Sequence, residues 1–422
     1  MRSYYIEIPL TKVLLVLTAF FAPIVPVLEG LFWVGGIRGS YVLLAYNFLV
    51  VGGIILSIGL RGQHQYADPH IRFTLVFFTA YLIISKLVSD LLLSAFEMKE
   101  YLVLINLLLP YFWFILGGQR IIGVITRRFL MIAIVAGISV SSVLYLTQVY
   151  SISAKPHTTL WLHLAMEMCF NRNLLGVIWA IGIALLLPIE MKSQRWIKWL
   201  ALALMLTALT LTFSRSGYLV GITVFGFYSL SRRRPWLILL ITWFVVVIAT
   251  DSLTGVSEAV KERILHTVGR GELDPSSEVR LVLWKAGALI FMENPFFGVG
   301  FGRPLALFTA YHSLISSNLI YAHNYFLTLA YQLGIIGLVL GIKILVRCYR
   351  LSGIIGPRDF GEAVRLTLGA IVVSSLFGEP LFSSSVLMIF ILLLAGISKY
   401  EFSPKTAHRS PIWTRVRWNI CI

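Results

Sequence analysis

Two arginines and one histidine, far apart in the chain, are the residues whose chemistry is hardest to explain as packing: Arg215, Arg280 and His323. Arg215 stands in Thr212-Phe213-Ser214-Arg215-Ser216-Gly217-Tyr218, a short turn between two apolar runs. A guanidinium is costly beside hydrocarbon. It can grip two phosphate oxygens at once, or it can snorkel to lipid headgroups. Arg280 lies among Leu281, Val282 and Leu283, with Trp284 one turn on and Lys285 beside that. It needs an anion, either Glu278 or Asp274 in the chain or a phosphate on a substrate. His323 begins an apolar run in Ala322-His323-Asn324. Imidazole is the side chain best matched to accept a proton near neutral pH, and the positive end of a helix disfavours its charged form. A general base acting on a hydroxyl fits this position, and so does an interfacial histidine bonded to backbone.

Other polar groups are less specific. Glu379, in a later polar turn, is an alternative base or a partner for Arg215. Lys86 and Asp90 share a helix face and read as an i, i+4 pair, with a binding role as the alternative. Gly298-x-Gly300-x-Gly302 lacks the strand and helix of a dinucleotide motif. Its amides can cradle phosphate or merely turn the chain. His157, His163, His266 and His312 show no ligand spacing, and Cys169, Cys348 and Cys421 show no metal or redox spacing. No metal site and no cofactor are expected.

The elements that must position these residues are set by composition. The chain is 58% hydrophobic and 13% charged, with a mean hydropathy of +0.86. A soluble domain carries about 25% charged residues, so the expectation is an all-α integral membrane protein. Apolar runs place about twelve spans, near 13–34, 41–60, 72–93, 101–118, 128–148, 171–189, 196–213, 217–231, 235–251, 323–345, 364–378 and 382–398. The start resembles a signal peptide, but Pro23 and Pro26 and the lack of a small-residue cleavage site favour a first span. The expected organisation is spans one to nine over 1–251, a helical loop over 252–322, spans ten to twelve over 323–400, and a cytoplasmic tail over 401–422.

Charge orients this arrangement. Of 35 Lys and Arg against 19 Asp and Glu, most of the basic residues fall on the face that holds both termini and Arg232-Arg233-Arg234. That face is cytoplasmic by the positive-inside rule. The net charge of +16 is thereby explained without nucleic acid. The loop, together with Arg38, Asn173, Arg215 and Glu379, then faces outward. Within the loop, 257–268 reads as an interfacial amphipathic helix. Asp274-Pro275 starts a helix running to about Met292, and Asn294-Pro295 through Gly302 is irregular. A further helical segment spans about 305–319.

The spacing His323-Asn324, Tyr325 to Leu333, Gly334, Ile335-Ile336, Gly337 resembles the pattern of the O-antigen ligase and polymerase superfamily of membrane glycosyltransferases. The Phe213-Ser214-Arg215-Ser216-Gly217 turn, Arg280-x-x-x-Trp284, Asn294-Pro295-Phe296-Phe297-Gly298-Val299-Gly300 and Asn173 at the start of the sixth span support it. The resemblance covers roughly residues 165–345; the first five spans match only in hydropathy. It implies a GT-C-type fold with a periplasmic loop in the bacterial inner membrane. It also implies metal-independent, inverting transfer of polysaccharide from an undecaprenyl-pyrophosphate-linked donor to lipid A-core. His323 would deprotonate the acceptor hydroxyl while Arg215 and Arg280 hold the pyrophosphate. The expected substrate-binding set is Arg215, Arg280, Asn324, Arg38, Lys86, Arg303 and Asn173, with membrane lipids as further partners. A polymerase of the same fold is the rival reading. A transporter is the reading from a different class, and it lacks the charged groups at span centres that transport sites carry.

Overall fold

The structure, a computed structural model, describes residues 10–28, 46–47, 50–51, 68–93, 98–118, 127–153, 171–190, 195–212, 214–232, 275–302, 321–354 and 358–398. All regular elements among them are helical. In chain order they are α1 (Leu10–Phe21), α2 (Pro69–Leu93), α3 (Met98–Trp113), α4 (Arg127–Ser153), α5 (Arg172–Leu186), α6 (Arg195–Leu211), α7 (Arg215–Arg232), α8 (Pro275–Glu293), α9 (Tyr325–Ser352), α10 (Arg358–Ser375) and α11 (Ser384–Ser398). Three stretches among the described residues are long and apolar enough to cross a bilayer: His70–Leu91, Arg127–Val149 and Tyr325–Ser352. Shorter apolar helices accompany them, including Arg172–Leu186 and Ser384–Ile397. The spans expected at 41–60 and 235–251, the amphipathic helix at 257–268 and the segment at 305–319 lie wholly or mostly outside the described residues.

Where the elements differ from expectation, proline and glycine account for it. The helix expected as the first span breaks after Phe21 into the turn that holds Pro23. Proline removes a backbone donor and clashes with the preceding turn. The broken end nests on α4, where a Cβ at Gly137 would lie 2.0 Å from the Phe20 carbonyl oxygen. Pro110 sits inside α3, which loosens into a π-helical turn at Phe114–Gly118. The helix expected as the tenth span extends to Ser352 but is not straight: Gly334 has φ 64° and ψ −166° inside α9. Only glycine reaches that conformation freely.

The helix ends sort onto two sides. At one, basic side chains meet the carbonyl ends of neighbouring helices. Arg127 Nε donates to the Gly396 carbonyl at 2.9 Å and Arg128 to the Glu190 carbonyl at 3.0 Å. Lys198 Nζ donates to the carbonyls of Leu187 and Ile189, each at 2.8 Å. Cations at helix C-termini satisfy orphan carbonyls and complement the dipole. Arg347, late in α9, pairs with Asp68, whose side chain also caps α2 at His70 N (2.9 Å). At the opposite end the starts of α5, α7, α9 and α11 converge with the C-terminal ends of α6 and α10. α5 lies at the centre, buried along nearly its whole length from Leu175 to Leu186.

Candidate active site

The N-terminal ends of α5 and α7 are joined by polar side chains. Asn171 caps α5 by accepting from Leu174 N at 3.1 Å. Asn173 Oδ1 accepts from Ser214 Oγ at 2.7 Å and from Ser216 Oγ at 3.1 Å. Ser214 Oγ in turn accepts from Gly217 N at 3.1 Å, capping α7. The two helices approach so closely that a Cβ on Gly217 would lie 3.1 Å from the Gly176 Cα. Arg215 is thus the first residue of α7, on a turn held by buried Ser214 and Ser216.

The C-terminal part of the site is built around Glu379. Its Oε1 accepts from the Asn324 backbone N–H at 2.9 Å and from Thr328 Oγ1 at 3.3 Å. Its Oε2 lies 3.8 Å from His323 Nδ1. Tyr325 N donates to the Gly378 carbonyl at 3.0 Å, so the first turn of α9 is fastened to the α10–α11 turn. His323 has φ 53°, the left-handed region. That conformation costs a side-chain-bearing residue on the order of 1 kcal/mol, and bonds on both neighbours hold it: Ala322 N donates to Thr328 Oγ1 at 3.2 Å and Asn324 N to Glu379. Strain of this kind is concentrated where function over-determines the backbone.

His323, Glu379, Asn173, Ser216, Tyr321 and the Ser383–Ser385 turn line one cavity of about 400 Å³, closed by Leu107, Phe377 and Phe382. Its volume falls within the range of small-ligand sites. Burial pushes Glu379 up from the usual carboxylate range to about 7, opposed by the hydrogen bonds it accepts and by Arg280. Burial also lowers His323, and the Arg280 guanidinium lowers it further. The direction matches the expectation of a free imidazole, with burial and a nearby cation as its causes. Burial raises Tyr321 to about 12, with Glu379 adding to the shift. A base kept neutral, a carboxylate poised near neutrality and a cation within electrostatic reach are the parts of a hydroxyl-activating site.

Of the residues singled out by sequence, His323 and Asn173 line the cavity, and Arg280 acts on His323 and Glu379. Asn173 is occupied by the two serines. Asn324 is the N-cap of α9: its Oδ1 accepts from Leu327 N at 3.1 Å and its Nδ2 donates to the Leu376 carbonyl at 3.3 Å. It does not line the cavity. Lys86 is 1% exposed and lies 3.0 Å from Asp90, the i, i+4 pair expected, and it does not line the cavity either. Arg38 and Arg303 lie outside the described residues. Glu379 is the group whose role sequence left open. Its signal was a lone carboxylate in a polar turn followed by Pro380.

The glycine run has its amides engaged. Val299 N and Gly300 N donate to the carbonyls of Tyr331 and Gln332 at 2.9 and 3.0 Å, and Ile335 N donates to the Pro295 carbonyl at 2.8 Å. Gly298 N reaches the Asn294 carbonyl at 3.1 Å, and Gly302 N the Gln332 side chain at 3.3 Å. The loop serves the kink at Gly334, where a Cβ would lie 2.1 Å from the Phe296 carbonyl oxygen. Of the two readings, phosphate cradle or chain turn, the bonds carry the second.

No curated protein matches the chain. Residues 200–342 match the family model described as O-antigen ligase, a segment that contains Arg215, Arg280 and His323. Over that segment, which spans the turn opening α7, the helix α8 and the start of α9 with His323 before it, the chain is similar to the O-antigen ligase family.

Proposed function

We propose that the protein is an O-antigen ligase acting at the periplasmic face of the bacterial inner membrane. It would move polysaccharide from undecaprenyl pyrophosphate to a sugar hydroxyl of lipid A-core, with inversion and without a metal. On this reading the chain has the twelve spans and GT-C-type fold inferred above, and the cavity end faces the periplasm. His323 takes the proton of the acceptor hydroxyl as its oxygen bonds to the anomeric carbon. The bond from that carbon to the pyrophosphate breaks, and its electron pair leaves on undecaprenyl pyrophosphate. Arg280, with Arg215, meets the charge that develops there. Preorganised cations in a water-poor site are worth most at that moment, which removes the need for a metal ion.

The observation that carries this reading is the imidazole at the cavity wall whose protonation is disfavoured by burial and by Arg280. The test is transfer in vitro from a defined lipid-linked donor to lipid A-core, in the presence of chelator. Wild type should be fully active in chelator. His323→Ala should lose on the order of 10²–10⁴ in rate, the usual contribution of a general base. Full activity in the variant, or loss of wild-type activity in chelator, would overturn the mechanism. In a deletion strain, lipid-linked polymer should accumulate beside unmodified lipid A-core; single-repeat products would point to a polymerase instead.

A further inference from the structure

Glu379 is placed like no other carboxylate among the described residues. Its side chain is 8% exposed, it lines the cavity, and one of its oxygens is committed to two donors on the neighbouring helix start. Those two bonds, from Asn324 N and Thr328 Oγ1, fix the plane of the carboxylate and leave Oε2 facing His323 Nδ1. A carboxylate used only to cap α9 would need Oε1 alone. The second oxygen is turned to the imidazole, and the carboxylate also meets the His323 backbone N–H.

We propose that Glu379 is the positioning residue of the base: it holds Nδ1–H of His323 toward itself, so that Nε2 is the nitrogen that takes the acceptor proton, and it stabilises the imidazolium that results. This inference rests on the glycosyl-transfer reading of the site. When the acceptor O–H bond breaks, the proton goes to Nε2 and the imidazolium carries the charge. Glu379 keeps its own proton balance, remaining the anion beside Nδ1–H until the imidazolium returns the proton to water. The 3.8 Å separation shortens to a hydrogen bond as the ring becomes charged, since catalytic contacts are often long before substrate is bound. The charged and titratable groups facing the pair are Arg280 from α8, Tyr321 from the segment before α9, and Tyr331 from α9 itself. Arg280 opposes protonation of His323 and favours ionisation of Glu379, so both reach the working state together at neutral pH.

The test is Glu379→Gln, measured in the same transfer assay across pH 5.5–9. Glutamine keeps an oxygen for Asn324 N and Thr328 Oγ1, so the fold is retained; the heat-induced unfolding midpoint of purified protein checks this. We expect kcat to fall on the order of 10²-fold, a share of the general-base contribution, with KM nearly unchanged. In wild type the acid limb of kcat should lie near the value of about 7 to which Glu379 is raised, as a property of the coupled pair. In the variant that limb should move to lower pH, because no carboxylate remains to favour the imidazolium. Glu379→Asp should restore part of the rate and move the limb back. A purely structural role would lower kcat evenly and leave the limb in place, and that result, or an unchanged kcat, would overturn the inference. His323→Ala separates the two readings. If that variant is inactive while Glu379→Gln is fully active, only the positioning role fails; if His323→Ala is active, the transfer mechanism fails with it.

Discussion

Two of the acid–base pairs among the described residues differ in what is left over. Lys86 and Asp90 are 1% and 0% exposed and 3.0 Å apart. Tyr101 donates its hydroxyl to the remaining Asp90 oxygen, and the Lys86 ammonium lies 5.5 Å from the Tyr101 ring centroid. His323 and Glu379 are 43% and 8% exposed and 3.8 Å apart, at the wall of a cavity. The first pair is closed, with partners on both sides and no opening. The second has slack, and one ring nitrogen remains for a third party. A charge in an apolar bundle is therefore not a site because it is buried. It becomes one when its partner satisfies it incompletely and a cavity reaches it.

The contrast can be broken at either pair. The largest effect should come from the closed one. Lys86→Met leaves Asp90 buried without its counter-charge, which costs on the order of 3–5 kcal/mol. The unfolding midpoint in detergent should drop sharply, while transfer per folded molecule stays at the wild-type level. Lys86→Met with Asp90→Leu should recover most of the loss, since replacing a whole buried pair by apolar residues is often neutral. A folded Lys86→Met protein with reduced turnover would return Lys86 to the substrate-binding set.

Arg280→Ala should act the opposite way. The unfolding midpoint should hardly move, and the rate should fall on the order of 10²–10³-fold, as for loss of one preorganised charge donor. The sign at the base is also fixed. Arg280 disfavours the imidazolium and favours the ionised carboxylate, so its removal raises both groups and moves the acid limb of kcat to higher pH. A limb that moves down, or does not move, would place Arg280 away from the pair.

The smallest effect concerns stability. Glu379 is raised in the folded protein from 4.5 to about 7. A carboxyl group so raised favours the fold fully below pH 4.5, and this advantage is lost as pH rises through 7. Glu379→Gln does not titrate. Its unfolding midpoint should therefore exceed that of wild type at pH 8 and converge with it towards pH 5. Functional groups held against their own ionisation commonly show this exchange of stability for activity. An unchanged difference across that range would contradict the raised carboxyl.

What could be read in the sequence was local. The apolar runs placed α2, α4, α5, α6, α7 and α11 to within a few residues, because hydropathy and end signals are properties of neighbouring residues. Pro275 in the first turn of α8 and Asn294-Pro295 after its end stand where the chemistry of those residues puts them. Asn324 before an apolar run was equally legible as an N-cap, yet the family pattern directed it to the substrate. The misread features are bonds between distant segments. Nothing near Gly334 announces that Pro295 to Gly302 will lie across it, and nothing near Glu379 announces Asn324 and Thr328, more than fifty residues earlier. A carboxylate in a turn has the same local signature whether it faces water or an imidazole. Only the fold brings the imidazole to it.

The loop over Gly334 has one more effect. α8 carries Arg280, and its last residue runs directly into the segment from Asn294 to Gly300, which is stitched to α9 by Pro295 at Ile335, Val299 at Tyr331 and Gly300 at Gln332. His323 stands just before the first turn of the same helix. Cation and imidazole therefore belong to a single frame whose spacing is set by backbone bonds and a tight glycine contact. On the proposed reading, a donor diphosphate docking on the guanidinium would find the proton acceptor held in the same frame, and little binding energy would go into bringing the two together.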